Sequence, residues 1–555
     1  MVKHSGPELV FVPLGGVGEI GMNFALYGFG PPNKREWIVV DVGVTFPDAT
    51  LPGVDLVLPD TRFIEEQLQN LRGIVITHAH EDHYGALLNT WPRLKSKVWM
   101  TPFTAHLLEA KRRSDGGPDI PVEIFHAGSR FTVGPFEIEA IPVTHSIPEP
   151  VSLAITTPRG TVIHTGDWKL DPAPTIGPKT DETRFRALGE AGVLALVCDS
   201  TNAMREGESP SEEAVGEGLR GVIEAAPGRV AVTTFSSNVG RIRSIAEAAR
   251  DTGRQVLVLG TSLKRVITVA TELGYLDGLP EFVSEEDYGY IPRENLVILC
   301  TGSQGEPRAA LAKLARDEMR NVALSPGDTV VYSSRVIPGN EKAILETKNL
   351  LIDQGIRIIE DGDALVHVSG HPRRNELRTM YEWVRPRILV PVHGEAAHLV
   401  AQGSLGAAAG IPEVAQIRNG DMLRLAPGPA EIVDKVPYGR LYKDGKLVGV
   451  EEAMGIRDRR KLSYVGHVAV NVVLDDRHEL AGDPDLVAIG VAAADQSGEP
   501  LEEIMLDAAI GAVDSIPRAR RKDLDMVAEA VRRAVRGAAN EVWGKKPVVT
   551  VFVTR

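Results

Sequence analysis

Cysteine is almost missing from this 555-residue chain, which has only Cys198 and Cys300. Each closes an apolar, strand-like run, 194–197 and 296–299. That pattern excludes a disulfide framework and points to buried thiols in a reducing cytoplasm. No apolar run approaches the roughly 20 residues that a membrane span needs. The start, Met1-Val2-Lys3-His4-Ser5-Gly6-Pro7, leads straight into a short strand and lacks the layout of a secretory leader. Positive charge is also short. Lys and Arg number 61 against 75 Asp and Glu, a net charge of −14. This argues against a generally basic nucleic-acid-binding surface and leaves room for a local basic channel. Repeats and low-complexity segments are absent.

What is present is ordinary globular material, 43% hydrophobic and 25% charged. At this length two or three domains are expected. The densest chemistry lies in Thr77-His78-Ala79-His80-Glu81-Asp82-His83-Tyr84-Gly85. The apolar run Gly73-Ile74-Val75-Ile76 precedes it and reads as a buried strand. The cluster therefore sits at a strand's carboxyl end, where open α/β sheets place their sites. Imidazole and carboxylate together suit a borderline divalent ion such as zinc or manganese. A helix is expected from Gly85 onward, with its amino terminus toward the site.

Upstream, the strand 9–14 runs into Gly15-Gly16-Val17-Gly18-Glu19-Ile20-Gly21-Met22-Asn23. No Gly-Lys-Ser/Thr follows and the next segment is strand-like, so a phosphate-cradling loop is rejected. The glycines instead allow close backbone approach to a site or a paired hairpin. Strand 37–43 carries Asp41, readable as a turn aspartate or as a partner of the cluster. From about Ser209, strands alternate with helices, the signature of a doubly wound, mostly parallel sheet. A C-terminal unit follows, with strands at 465–474, 486–491 and 547–554 and a helix at 523–542.

Three further ligand-type residues, His145, Asp167 and His393, each follow an apolar strand. With His78, His80, Asp82 and His83 they make seven N/O ligands, too many for one tetrahedral ion. Two ions bridged by a carboxylate and a water account for them. Glu81 points away by alternation. His164 reads as a packed core histidine. His4, His106, His126, His398, His467 and His478 lack ligand-rich neighbours.

The Thr-His-Ala-His-Glu-Asp-His cluster, with its later histidine, aspartate and histidine, resembles the metallo-β-lactamase fold. Asp199 in Cys198-Asp199-Ser200-Thr201, the long α/β insert and His367-Val368-Ser369-Gly370-His371 resemble the β-CASP nucleases. Leu14-Gly15-Gly16-Val17-Gly18-Glu19-Ile20-Gly21, Thr301-Gly302-Ser303-Gln304-Gly305-Glu306-Pro307 and Pro391-Val392-His393-Gly394-Glu395 narrow this to a resemblance to the ribonuclease J family. It covers residues 8 to about 440 strongly, and the C-terminal region in size and layout.

The fold so implied is an αββα metallo-β-lactamase sandwich over 1–208 and 372–437. A doubly wound β-CASP domain is inserted at 209–371. A linker at 438–455 leads to a small α+β domain at 456–555. The resemblance implies one ion on His78, His80 and His145, a second on Asp82, His83 and His393, and Asp167 bridging. Asp41 would orient a histidine ligand or the helix start. Asp199 and His371 match acid/base positions, which the chemistry needs because the leaving 3′-oxygen must gain a proton and the attacking water must lose one. Ser236, Ser237 and Asn238, together with His367, Val368, Ser369, Gly370 and His371, would hold phosphate. Arg373 and Arg374, next to that motif, are candidates for a channel.

The implied activity is 5′→3′ exoribonuclease action favouring 5′-monophosphorylated, single-stranded RNA, with endonucleolytic cleavage, in rRNA processing and mRNA decay. The implied cofactors are two Zn²⁺ or Mn²⁺ ions per subunit. The implied assembly is a cytoplasmic homodimer, extending to a tetramer, with RNA-degradosome components as partners. Two competing readings are a metallo-β-lactamase-fold hydrolase of a small ester or amide and a catalytically inactive RNA-binding scaffold. The large insert argues against the first and the seven filled ligand positions against the second.

Overall fold

The structure is a computed structural model that describes residues 6–337 and 339–555. Met1 to Ser5, read above for a leader, lie outside the described residues, as does His4. By contacts the chain divides into two units, 1–46 with 56–441, and 47–55 with 442–555.

In the first unit, two sheets provide the main core. The eight-stranded sheet has Glu8–Gly15, Phe24–Gly30, Glu36–Val40 and Leu71–Val75 as central neighbours. The seven-stranded sheet places Ile388–Val392, Ala195–Asp199, Gly160–His164 and Val151–Thr157 side by side. Phe11, Tyr27, Ile38 and Val75 of the first pack with Leu153, Val162, Val197 and Val390 of the second in one buried cluster. The outer face of the second sheet packs Ile163, Leu196 and Leu389 against Phe185, Leu377 and Trp383 of the helices Glu182–Ala191 and Arg374–Val384.

This layering explains the sequence pattern. Strands buried on both faces read as continuous apolar runs, not alternations. Ile388, Leu389 and Val390 are all fully buried, and each contributes about 1.5–3 kcal/mol by leaving water. Gly160–His164, Ala195–Asp199 and Ile388–Val392 are consecutive parallel neighbours, with Val197 opposite His164 and Val392 opposite Asp199. Their carboxyl ends therefore lie at one edge of the sheet.

The inserted segment forms a five-stranded parallel sheet in the order Gln255–Leu259, Leu296–Cys300, Val230–Thr233, Thr329–Tyr332, Arg357–Ile359. Cys198 and Cys300 are both buried and unpaired, as their strand-end positions predict.

The second unit has the sheet Asp485–Ile489, His467–Val473, Val548–Thr554. One face is covered by the helices Leu501–Ser515 and Leu524–Trp543. Only the second helix is expected from sequence. The first is an apolar stripe at four-residue spacing, Leu501, Met505, Ala509 and Val513, interrupted by alanines and a glycine. Among the described residues, no helix is long and apolar enough to cross a membrane.

Candidate metal centre

The strand Leu71–Val75 delivers Thr77 and His78 to the centre, both fully buried. The helix expected from Gly85 begins earlier. A single turn, Glu81–Tyr84, starts directly after His80, and a second helix, Leu87–Leu94, follows. Asp82 and His83 thus ride on the turn itself. A turn this short has no useful dipole, so its contribution is geometric. Glu81 faces away and pairs with Lys111 at 2.6 Å.

Three ring nitrogens converge without a proton that could satisfy them all. His78 Nε2 lies 3.1 Å from His80 Nδ1, and His145 Nε2 lies 3.0 Å from the same atom. Asp167 Oδ2 is 3.8 Å from His78 Nε2 and 3.6 Å from His145 Nε2. On the other side, the same oxygen is 3.2 Å from His83 Nε2. Asp82 Oδ2 is 3.7 Å from both His83 Nε2 and His393 Nε2. Two four-residue donor sets result, His78/His80/His145/Asp167 and Asp82/His83/Asp167/His393, each with ligand atoms within 4.8 Å of one another. Asp167 belongs to both. A third set, Asp167/Asp199/His371/His393, overlaps them.

These donors fit a cation by their own bonding. Four rings have one nitrogen tied to protein outside the cluster and the other turned toward the centre, where His83 Nε2 also meets Asn23 Nδ2 at 3.0 Å. His78 Nδ1 meets Thr77 Oγ1 at 3.0 Å. His83 Nδ1 meets Asp41 Oδ2 at 2.7 Å. His145 Nδ1 donates to the Gly370 carbonyl at 2.7 Å, and His393 Nδ1 to Asn23 Oδ1 at 2.9 Å. Such outer partners fix the tautomer and raise the basicity of the free nitrogen. Asp167 Oδ1 is buried with no hydrogen-bond partner, which costs free energy unless a cation supplies the contact.

Electrostatics agree. Burial holds His78 and His145 well below the usual imidazole range and brings His80 to about 4, leaving neutral rings suited to ligation. Burial pulls His83 down too, but Asp167, Asp82 and Asp41 together outweigh it and raise it well above the ordinary value. Excess negative charge there would be met equally by a metal ion. Burial pushes Asp167 up, yet His393, His83 and His371 hold it well below the carboxylate range. His164 is buried, bonded to the Tyr27 hydroxyl at 3.0 Å and lowered to about 4 by burial, as a core histidine should be.

Asp41 and His393 both adopt left-handed backbone, φ 64° and 51°. For non-glycine residues this is uncommon and is held by the surroundings. The Gly-rich loop provides some of that hold. His393 N donates to the Gly16 carbonyl at 2.7 Å and Gly18 N to the Gly394 carbonyl at 2.9 Å.

Asn23, at the end of the same loop, escapes sequence reading. Beyond its bond to His393, its backbone N donates to the Asp82 carbonyl at 2.9 Å. One residue thus fixes two ligand-bearing segments.

Beside the donors, His371 Nδ1 lies 2.8 Å from Asp199 Oδ2 and 3.9 Å from Asp167 Oδ2. Burial lowers the His371 pKa, but Asp199 and Asp167 override it and raise it to about 9. Ser369 Oγ accepts from Asn202 Nδ2 at 2.9 Å, and the same amide reaches the His371 carbonyl at 3.0 Å. Asn238 caps the helix Val239–Asp251 by accepting from Arg241 N at 2.9 Å. Arg241 in turn reaches His367 Nδ1 at 3.5 Å. Asn238 lines one cleft with His145 and Ser146. Ser236 and Ser237 are half-buried in the preceding turn, and Val368 is buried.

Four family descriptions match the chain: Beta-lactamase superfamily domain over 36–185, Ribonuclease J beta-CASP domain over 227–351, Zn-dependent metallo-hydrolase RNA specificity domain over 357–414, and Ribonuclease J C-terminal domain over 454–555. Ribonuclease J of Sinorhizobium meliloti is 64% identical over 549 residues, covering 99% of this chain and 97% of that one. The chain belongs to the ribonuclease J family. Ribonuclease J of Mycolicibacterium smegmatis is 38% identical, covering 97% of this chain and 96% of the relative. That of Thermus thermophilus is 34% identical, covering 99% and 96%. The fold also matches a crystal structure of a protein of unknown function from Enterococcus faecalis V583, with TM-score 0.52 and 15% identity, covering 75% of this chain and 100% of that one. Membership in the ribonuclease J family makes the chain a metal-dependent, RNA-binding nuclease, and the histidine–aspartate cluster offers donor sets that could hold a divalent metal.

Proposed function

We propose that this protein degrades single-stranded RNA from the 5′ end, favouring a 5′-monophosphate, and also cuts internally. The products carry 5′-phosphate and 3′-hydroxyl ends. The observation that carries the reading is the placement of Asp167 between two histidine-rich donor sets, with the His371–Asp199 pair alongside.

Two ions would occupy the site, one on His78, His80 and His145, the other on Asp82, His83 and His393, with Asp167 shared; zinc and manganese both suit these donors. When bound, they would bring a shared water toward deprotonation at neutral pH and neutralise phosphoryl oxygens. The residues supply the rest. Asp41, Asn23 and the Gly370 carbonyl hold the imidazole rings in place. Asp199 holds His371 through Nδ1, leaving Nε2 to give a proton to the leaving 3′-oxygen. Ser236, Ser237 and Asn238 lie between a strand and a helix start, where backbone N–H groups favour phosphate. With 367–371 they form a pocket that takes a terminal monophosphate and excludes a bulkier, more highly charged triphosphate. The inserted domain is the feature that directs this chemistry to a threaded strand, since hydrolysis of a small ester or amide needs no such insert.

The reading extends to a cytoplasmic enzyme of rRNA processing and mRNA decay, a homodimer or tetramer working with RNA-degradosome components. The deciding experiment is a time course on end-labelled single-stranded RNA bearing a 5′-monophosphate or a 5′-triphosphate, with Mn²⁺, with Zn²⁺ and with chelator. Mononucleotide release from the monophosphate alone is expected, abolished by chelator and by His80→Ala. Undiminished turnover in that variant would sink the mechanism.

A further inference from the structure

Three arginines near the His371–Asp199 pair have guanidinium groups with no carboxylate partner. Among the described residues, Arg205, Arg335 and Arg373 form no ion pair, although acids outnumber bases 75 to 61. Two of them are tied to Asn202, Arg335 by its side chain and Arg205 by its backbone. Arg335 Nη1 donates to Asn202 Oδ1 at 2.8 Å, and Arg205 N donates to the Asn202 carbonyl at 2.8 Å. Arg374 N donates to the Arg205 carbonyl at 2.9 Å, which brings the start of the helix Arg374–Val384 alongside. Arg373 Nε is buried with no partner. Asn202 itself holds Ser369 and the His371 carbonyl. The arginines are thus one step from the reacting region.

Arg335 is held from behind by Gln304, the centre of the Thr301–Pro307 motif that the metal chemistry does not use. Gln304 is buried. Its Nε2 donates to the Arg335 carbonyl at 2.8 Å, while its Oε1 accepts from Ile337 N at 2.9 Å and Asn340 Nδ2 at 3.2 Å. Both ends of one buried amide are therefore spent on shaping the loop that presents Arg335.

We propose that Arg205, Arg335 and Arg373 form a docking site for internal phosphodiester groups of the RNA, and that Gln304 is the positioning residue for Arg335. The proposal rests on RNA being the substrate, as argued above. Guanidinium forks match phosphate oxygens and remain charged at every working pH. Like charges left together without counter-ions repel, and burial and the neighbouring arginines lower the pKa of Arg335, as burial and Arg373 do that of Arg205. The Asp361 carboxylate is felt by Arg205 and Arg335 but bonds to neither. An arriving polyanion relieves the repulsion. The three side chains come from three separate segments, which suits a row of monoanionic groups better than one terminal phosphate. In a protein of net charge −14, such a patch decides where a polyanion can rest.

The test uses the full chain and a short, fully phosphorothioate RNA with a 5′-hydroxyl. Its dissociation constant is followed against salt concentration by fluorescence anisotropy. Each of Arg205→Gln, Arg335→Gln and Arg373→Gln should lower the slope of log affinity against log salt by about 0.7, the value for one single-strand phosphate contact. The triple variant should lose the sum of the three. Gln304→Ala should weaken binding as Arg335→Gln does, and Arg335→Lys should keep most of the slope. An unchanged far-ultraviolet circular dichroism spectrum in all of them separates lost contacts from lost fold. An unchanged slope in the triple variant, in a protein whose wild type cleaves RNA, overturns this proposal alone. A loss seen only with 5′-phosphorylated RNA also overturns it and assigns the arginines to the terminal phosphate. A wild type that binds and cleaves no RNA removes both this proposal and the function it rests on.

Discussion

Asp41 Oδ2 lies 2.7 Å from His83 Nδ1, on the opposite edge of the ring from Asp167, which approaches Nε2 at 3.2 Å. The same aspartate accepts from Thr77 N at 2.8 Å through Oδ1, so it ties the end of a strand to a ring that faces the metal centre. Asp41→Asn separates these duties. Asparagine tolerates left-handed backbone nearly as well as aspartate and can still accept from Thr77, but it removes the charge facing His83. Metal affinity should fall about 10–100-fold with little change in melting temperature of the apoprotein. Titration with Zn²⁺ or Mn²⁺ against a competing chelator reads the first quantity. Unaltered affinity would reduce Asp41 to a turn residue.

Asp167 makes a sharper prediction about stoichiometry. It is the one residue shared by all three donor sets. Asp167→Ala should therefore lower metal content at both positions, whereas His80→Ala removes a donor from only one set. Elemental analysis of the purified variants should show the Asp167 variant retaining less metal than the His80 variant. Equal retention would mean that the carboxylate does not bridge.

The convergence of the candidate donors was legible because each distant member follows an apolar strand, and strand ends converge in a sheet of this kind. His145, Asp167 and His393 carry that signal. Asn23 and Asn202 do not. Each is a single polar residue whose partners, such as His393 at a separation of 370 positions, are set by tertiary packing alone. Helix boundaries failed for local reasons. His80 ends in extended backbone and Glu81–Tyr84 turns at once, a start without a Ser, Thr or Asn cap to announce it. The segment 47–55, which packs within the C-terminal unit, carries no pattern that could have assigned it there.

Acid should expose a second buried network. Glu212 is buried between Arg241, at 2.8 Å, and Lys169, at 3.5 Å. Burial raises its pKa, but Arg241 and Lys169 outweigh this and hold it below the usual range. A depressed carboxyl stabilises the fold above its unfolded pKa of about 4.3 and loses that contribution as pH falls through the folded value. Glu212→Gln lacks the charge at every pH. It should be destabilised by about 3–5 kcal/mol at pH 7, as for one partner removed from a buried pair. The gap to wild type should narrow as the pH drops below about 4. Urea unfolding midpoints measured across that range decide the matter; a gap independent of pH would show that the charge is not what stabilises this site.

Gly370 leaves no room for a side chain. A Cβ built on Gly370 would lie 2.6 Å from both Nδ1 and Cε1 of His145 and 2.8 Å from Ser146 Oγ. Its backbone is not in the left-handed region, so Gly370→Ala acts by pushing the His145 ring and the Ser146 hydroxyl. The His145 ring is buried among the donor groups, and a shift moves its Nε2 away from Asp167. A displacement of about 1 Å in such a site costs on the order of 100-fold in rate, and kcat on 5′-monophosphorylated RNA should fall by that much while the melting temperature changes little. Gly221→Ala provides the contrast. That glycine lies exposed in the helix Glu212–Ala225 with nothing within 4 Å of an added Cβ. Alanine there should stabilise the helix by up to about 1 kcal/mol and leave kcat unchanged. Full activity in Gly370→Ala would mean that the 367–371 turn does not press on the metal centre, and the route by which the insert returns to the ligands would have to be drawn differently.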